Sequence, residues 1–140
     1  MSASSEKQVS WQAHIITLFP DMFPGPLNTS LSGRALENGA WTCQAHDLRA
    51  FGEGRHRAVD DTPAGGGSGM VLRADIASTA LTNTQNKAGD LPVLLPSPRG
   101  VPFTQEMAMD LALGKGAIFM CNRFEAVDER FIEAHDLQEV

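Results

Sequence analysis

The residues of this 140-residue chain that could do chemistry are concentrated in three places, and the first is a cluster of opposite charges. It consists of Arg55-His56-Arg57, followed closely by Asp60-Asp61. The two arginines could clamp a phosphate, and the paired carboxylates could hold a cation. Such a mixture is more often a solvated surface that neutralises its own charge, and local evidence favours that interpretation. Of the interpretations of this cluster, a metal site has the least support, because His56 alone brings no cluster of ligands at a diagnostic spacing.

The second place is the glycine-rich segment Gly65–Gly69, which reads G-G-G-S-G. Successive backbone amides in such a segment could cradle a phosphate. The segment lacks the Lys-Ser/Thr pair of a Walker loop and the glycine spacing of a dinucleotide-binding turn. Composition alone therefore favours a flexible loop, and a phosphate-binding module is left as a minor alternative.

The third place follows the apolar run Ala117–Cys121 and holds five charged residues. Glu125 and Asp128 are candidates for acid–base work. Helix capping by Asp128 and ordinary surface pairs are the favoured interpretation of Asp128, Glu129 and Arg130. Glu125, next to Arg123, remains a candidate functional residue because it lies just beyond the end of a predicted strand.

Strands and helices that alternate along the chain are predicted to position these residues. The predicted strands are His14–Phe19, Trp41–Leu48, Pro92–Leu95 and Ala117–Cys121. Four helices are predicted: Leu31–Asn38 with Ser32 as a possible cap, one that begins near Leu72, Phe103–Leu113, and Asp128–Glu133. Between them, Arg49–Gly69 reads as a long loop and Asn83–Asp90 as a linker. The alternation predicts an α/β fold whose parallel sheet is covered on both faces. Ligands of such sheets bind beyond the carboxyl ends of the strands, which selects Ser97–Gly100 and Asn122–Ala126 as the candidate site.

Composition is that of one globular domain, with 42% hydrophobic residues, 20% charged residues and a net charge of −6. We expect a tail at residues 1–10 and a single domain at 11–140. A negative chain is a poor candidate for a protein that binds nucleic acid by charge alone, although a local basic patch stays possible. The sequence has no apolar run long enough to span a bilayer and no apolar stretch near its start that would make a secretory signal. Two cysteines, Cys43 and Cys121, do not make a disulfide framework, so buried thiols and a cytoplasmic location are expected.

Five motifs, taken in order, carry more information than any one of them. They are L-F-P-D-M-F (Leu18–Phe23), G-R-A (Gly33–Ala35), R-H-R-A-V-D-D-T-P-A-G-G-G-S-G-M (Arg55–Met70), S-P-R-G (Ser97–Gly100) and C-N-R-F-E-A-V-D-E-R (Cys121–Arg130). In this order the chain resembles the bacterial tRNA (guanine-N1)-methyltransferase family from about Trp11 to Val140. The resemblance is specific because the Arg55–Met70 string is long.

The resemblance implies a SPOUT methyltransferase domain with a trefoil knot, working as a homodimer with S-adenosyl-L-methionine as cofactor. It implies methylation of guanine N1 in tRNA at the position 3′ of the anticodon. The implied cofactor contacts are Leu95, Ser97, Pro98, Gly100 and the backbone of Asn122, while Glu125 is implied to approach the target guanine. Weaker candidates for RNA or dimer contacts are Arg55, His56, Arg57 and Arg123.

Two features qualify what the resemblance implies for residues 1–140. The family's third cofactor loop follows the position of Val140, and its catalytic arginine and aspartate lie further on, so the resemblance implies a partial domain without a catalytic residue. A truncated, non-catalytic remnant of the enzyme is therefore the alternative. The sequence also has Ser68 where the family has proline, and Asn122 and Ala126 where it has glycines that allow close backbone approach, which predicts weakened cofactor binding.

Overall fold

The computed structural model describes residues 10–52, 54, 58–61, 71–122, 126–135 and 137–140. In this part of the chain the main sheet comprises β1 (Trp11–Thr17), β2 (Trp41–Asp47), β5 (Val93–Leu95), β6 (Gly116–Met120) and β8 (Gln138–Glu139). A smaller sheet comprises β3 (Asp60–Asp61), β4 (Val71–Leu72) and β7 (Ala126–Val127). The helices are α1 (Ser30–Glu37), α2 (Ala74–Ala88), α3 (Gln105–Leu113) and α4 (Glu129–His135), and short 3-10 turns occupy Pro20–Met22, Gly25–Asn28 and Leu48–Phe51.

The main sheet has the strand order β2-β1-β6-β5-β8, and each neighbouring pair is parallel. The predicted parallel α/β architecture is therefore confirmed. Strand β1, which lies between β2 and β6, contains a run of buried residues, as expected for a parallel strand covered on both faces. Because the strands are parallel, β5, β6 and β8 end side by side at one edge of the sheet.

Helix α2 supplies much of the hydrophobic core beside the sheet. Ile76, Ala77, Ala80 and Leu81 recur at helical spacing and are at most 4% exposed, and they pack in one cluster that also includes Phe131 of α4. No helix in the described ranges is long and apolar enough to cross a membrane.

The predicted linker over Asn83–Asp90 is wrong, because α2 continues to Ala88. Thr84 is fully buried there, and its hydroxyl donates to the carbonyl of Ala80 at 2.9 Å, so a polar residue is accommodated inside the helix. The helix ends only at Gly89, whose φ of 86° is readily adopted by glycine.

Two predicted helix starts also require correction. Ser32 does not cap α1, because Thr29 precedes the helix and the Ser32 hydroxyl instead donates to the Thr29 carbonyl at 3.0 Å. Helix α3 begins at Gln105 and not at Phe103, since the Thr104 side chain accepts a hydrogen bond from the backbone N–H of Met107 at 3.2 Å.

Candidate functional site

The edge where β5, β6 and β8 end holds both loops predicted from the sequence. The first loop, Ser97–Gly100, follows β5, and Asn122 opens the second loop after β6. The two strands are direct neighbours, with Leu94 opposite Phe119, and β8 flanks β5 on its other side, with Leu94 opposite Gln138. One edge of the sheet therefore gathers three chain segments that are distant in sequence.

Backbone hydrogen bonds hold the first loop against the end of β8. The carbonyl of Leu95, a residue 2% exposed, accepts from Val140 N at 3.0 Å, and Ser97 N donates to the Val140 carbonyl at 2.9 Å. The loop then closes on itself, because Gly100 N donates to the Ser97 carbonyl at 3.0 Å. These bonds fix the turn around Pro98 independently of any ligand.

Gly100 allows the closest approach between the loop and β8. A Cβ atom at this position would lie 2.5 Å from both the backbone N and the backbone C of Val140. The next residue, Val101, donates its backbone N–H to the Glu139 carbonyl at 3.1 Å. A glycine is thus required here because two backbone segments touch where a side chain would have to fit.

Arg99 is a residue of this site that the sequence interpretation missed. Its Nε donates to Glu139 Oε1 at 3.1 Å, and its Nη1 pairs with Glu129 Oε1 at the start of α4. The two carboxylates raise the pKa of Arg99 above its usual value. The favoured interpretation of Glu129 was an ordinary surface pair, and its partner proves to come from a separate loop. The sequence could have indicated Arg99, because it lies between Pro98 and Gly100, which are both predicted cofactor contacts.

Asp128 behaves as the capping prediction requires. Its Oδ1 accepts from Arg130 N at 3.0 Å, and its Oδ2 pairs with Arg130 Nη2 at 2.6 Å. The hydrogen bonds from Arg130 lower the pKa of the Asp128 carboxyl. An acid–base role for Asp128 gains no support from these contacts, because its carboxylate is occupied by a local partner.

The second loop is described at its two ends. Cys121 N donates to the Ile16 carbonyl at 2.9 Å, which continues the β1–β6 pairing, and Asn122 beside it is half-buried. Ala126 pairs with Val71 in the small sheet, so its backbone is an extended strand of a kind that any residue adopts. Its departure from the family's glycine therefore involves no strained backbone.

The other predicted site residues lie outside the described ranges. They are Arg55, His56, Arg57, Gly65–Gly69 with Ser68, Arg123 and Glu125. Asp60 and Asp61, by contrast, form β3 and pair with Leu72 and Val71.

A histidine pair is buried inside the sheet, away from the loops. His14 Nδ1 lies 3.0 Å from His46 Nε2, and His14 Nε2 lies 2.9 Å from Gln12 Oε1. The rings are stacked with centroids 5.3 Å apart. Burial lowers the pKa of both imidazoles, and the charges of His14 and Lys87 lower that of His46 further. With Gln12 Oε1 as an acceptor, neutral His14 carries its proton on Nε2 and accepts from His46 Nε2.

One face of the sheet beside β1 forms an apolar groove of about 430 Å³, lined by Trp11, Trp41, Phe119, Cys43 and Cys121 among others. The two cysteines are free, as expected, but they are only partly buried, whereas the sequence predicts buried thiols. Burial still raises the pKa of both thiols above the usual value.

The fold and its loop edge define the class as the SPOUT methyltransferases. The chain superposes on the crystal structure of tRNA (m1G37) methyltransferase from Aquifex aeolicus with a TM-score of 0.81 and 27% identity, covering 92% of this chain and 58% of that one. The family described as tRNA (Guanine-1)-methyltransferase TrmD matches residues 11–140, and the chain belongs to that family.

Curated relatives share about half of their aligned residues with the chain. The tRNA (guanine-N(1)-)-methyltransferase of Gluconobacter oxydans is 57% identical over 132 residues, which cover 94% of this chain and 56% of the relative. The protein of the same name from Roseobacter denitrificans is 55% identical over 141 residues, covering 100% and 58%. The chain thus spans a little over half the length of these relatives.

Proposed function

We propose that residues 1–140 form the front part of an enzyme that transfers a methyl group from S-adenosyl-L-methionine to N1 of guanine in tRNA, 3′ of the anticodon. The observation that carries the proposal is the match to the tRNA (Guanine-1)-methyltransferase TrmD family across 11–140. The names of the relatives from Gluconobacter oxydans and Roseobacter denitrificans supply the reaction. We propose that the enzyme is located in the cytoplasm, because its tRNA substrate is made there.

We infer that the cofactor binds at this edge of the sheet, because the two loops that the family resemblance assigns to it lie there. Leu95 is buried, and the Ser97–Gly100 turn is held in place by backbone hydrogen bonds. We assign cofactor contacts to Leu95, Ser97, Pro98, Gly100 and the backbone of Asn122. When bound, the cofactor would supply the methyl group from its sulfonium, and a turn already held in place would help to orient it, which is where such enzymes gain much of their rate.

Guanine N1 carries a proton that must leave as the methyl group arrives, so a positioned base is required. We assign Glu125 to contact with the guanine and leave the base to residues beyond position 140, as the family implies. Arg55, His56, Arg57 and Arg123 are proposed for RNA phosphates or the dimer interface. At a net charge of −6, such local cations must overcome the repulsion between the protein and RNA.

A homodimer is proposed as the working state. The support is the apolar groove in the described part of the chain, which is lined by Trp11 and Trp41 and includes Leu27, 55% exposed. Contiguous apolar surface of this kind marks an interface in a folded protein. Sedimentation equilibrium of the full-length protein tests this, and a monomer at micromolar concentration would contradict it.

The decisive experiment uses full-length protein, labelled S-adenosyl-L-methionine and two tRNA transcripts, one with guanine and one with adenine at the position 3′ of the anticodon. We expect N1-methylguanine in the first transcript, identified by mass spectrometry, and no incorporation in the second. Glu125→Gln is expected to lower kcat/KM for tRNA about tenfold or more, since a charge-assisted hydrogen bond is lost. Glu133→Gln, at an exposed position of α4, is the matched control.

Methylation of the adenine transcript, or of another guanine atom, would refute the assigned reaction. Cofactor binding without any transfer to tRNA would instead favour the non-catalytic alternative. Calorimetry measures cofactor binding in the absence of tRNA. It therefore distinguishes a protein that binds the cofactor without transferring the methyl group from one that methylates the wrong position.

A further inference from the structure

Arg99 connects three elements that meet at the cofactor edge. It lies in the loop after β5, and its guanidinium reaches Glu139 of β8 and Glu129 of α4. Its own backbone N–H faces Ser97 Oγ at 3.4 Å, so the residue that makes the bridge also belongs to the turn.

The position of Glu129 gives the bridge its significance. Glu129 is the first residue of α4, and α4 follows the second loop and β7 directly. An ion pair from Arg99 to Glu129 therefore ties the first cofactor loop to the helix that follows the second loop and β7. The contact to Glu139, 22% exposed in its side chain, ties the same loop to β8.

The guanidinium is suited to this task in a way that an ammonium group is not. Its planar fork presents Nε and Nη1 in different directions, so one side chain serves two carboxylates from separate elements. Lysine, a single point charge, would satisfy one carboxylate well and the other poorly. Arg130, by comparison, donates from both Nε and Nη2 to the carboxylate of Asp128 two residues away.

We propose that Arg99 is a positioning residue, which holds the first cofactor loop against β8 and α4 in the shape that receives S-adenosyl-L-methionine. The inference rests on the proposed function in its assignment of the loop to the cofactor. Arg99 does not touch the reacting atoms, and its effect passes through the backbone of Ser97–Gly100. Its loss therefore affects cofactor binding and leaves the chemical step alone.

The test compares Arg99→Gln and Arg99→Lys with wild type in the full-length protein. We expect Arg99→Gln to raise KM for the cofactor about fivefold, with Arg99→Lys intermediate, since exposed ion pairs are weak one by one and act here together. Values of kcat and of KM for tRNA stay unchanged. Arg130→Gln, which removes an exposed arginine whose carboxylate partner Asp128 lies two residues away, is the control and leaves all three constants unchanged.

A second measurement distinguishes the bridge from a general loss of stability. Glu129→Gln combined with Glu139→Gln is expected to reproduce the effect of Arg99→Gln, and adding Arg99→Gln to that pair changes nothing further, because the partners form one network. Raising the salt concentration weakens cofactor binding in wild type towards the level of Arg99→Gln.

The proposal is overturned by unchanged cofactor affinity in Arg99→Gln, by an equal effect of Arg130→Gln, or by full additivity with the glutamate variants. Calorimetry of cofactor binding keeps this result separate from the proposed function. If the wild type binds the cofactor but does not methylate tRNA, the proposed reaction is refuted, and the role of Arg99 is still tested by cofactor affinity. If the wild type binds no cofactor, both the proposed reaction and the role of Arg99 are refuted.

Discussion

Replacing Gly100 by alanine tests the packing on which the loop edge depends. The added Cβ would lie 2.5 Å from the backbone N and C of Val140 and 2.7 Å from the backbone C of Glu139, whereas ordinary contacts begin at 3.4 Å. All three atoms are backbone, so no flexible side chain can swing away. The loop and β8 must therefore separate by about 1 Å, in an interior that is packed with few voids.

The loss in the free energy of unfolding comes from the tight contact and from the hydrogen bonds that this separation would break. Overpacking a tight contact costs about 1–3 kcal/mol. The displaced segments also share the hydrogen bonds Val101 N to Glu139 O at 3.1 Å and Val140 N to Leu95 O at 3.0 Å, each worth about 0.5–1.5 kcal/mol. We expect Gly100→Ala to lower the free energy of unfolding by about 2–4 kcal/mol. That corresponds to a fall in Tm of about 5–15 °C for a protein of about 150–250 residues.

The assay is thermal and urea unfolding of the full-length protein with and without S-adenosyl-L-methionine. Gly114→Ala is the matched control, since its Cβ would meet only the Leu111 carbonyl at 3.4 Å. Gly100→Ala should also lose the stabilisation that the cofactor gives wild type. A Gly100→Ala protein as stable as Gly114→Ala would refute the close approach of the loop to β8.

Three further predictions concern the body of the fold. Phe131→Ala removes a fully buried ring and should lower the free energy of unfolding by about 3–5 kcal/mol, whereas Leu113→Ala, 88% exposed, should change it by less than about 0.5 kcal/mol; similar losses in urea titrations of both would contradict the core assignment. Burial lowers the pKa of His14 and His46 below the usual 6.5, so the unfolded chain takes up protons first, and stability present above pH 6.5 should be lost as pH falls below it. Urea midpoints between pH 8 and pH 5 measure this, and a double His14→Asn, His46→Asn variant that kept the full wild-type slope would disprove the assignment. Trp11→Phe removes the indole hydrogen bond to the last turn of α3, 2.9 Å long, and should speed amide exchange in that helix about fivefold, with unchanged exchange counting against the anchor.

Four of the five strands of the main sheet could be predicted from sequence because each has a local apolar pattern, whereas β8, with two residues, could not. Apolar runs such as His14–Phe19 and Ala117–Cys121 are rich in β-branched or buried residues and end at turn signals. The small sheet could not be predicted in this way. Its strands are two residues each, and a run of two carries no periodicity.

The sequence predicts that two loops lie at the carboxyl ends of β5 and β6, but it does not predict the contacts that connect them, and their role in binding stays a prediction. The carboxyl-edge rule selects Ser97–Gly100 and Asn122 from topology alone. The bridge from Arg99 to Glu129 and Glu139 depends on which loops face each other across the edge, and spacing along the chain does not encode that. The end of α2 could not be predicted for a similar reason. The polar stretch after Asn83 is typical of a linker, and the sequence does not show that the Thr84 hydroxyl finds a partner inside the helix.

The strand order has a consequence for the way the chain folds during synthesis. Strand β1 pairs with β6, Gln12 lying opposite Gly116, so this pairing must wait until β6 has left the ribosome. At about 5–20 residues per second that delay is several seconds. Strand β8 follows the other described strands along the chain and holds the first loop through Val140. The first loop therefore reaches its final shape only after β8 has been synthesised and has docked beside β5.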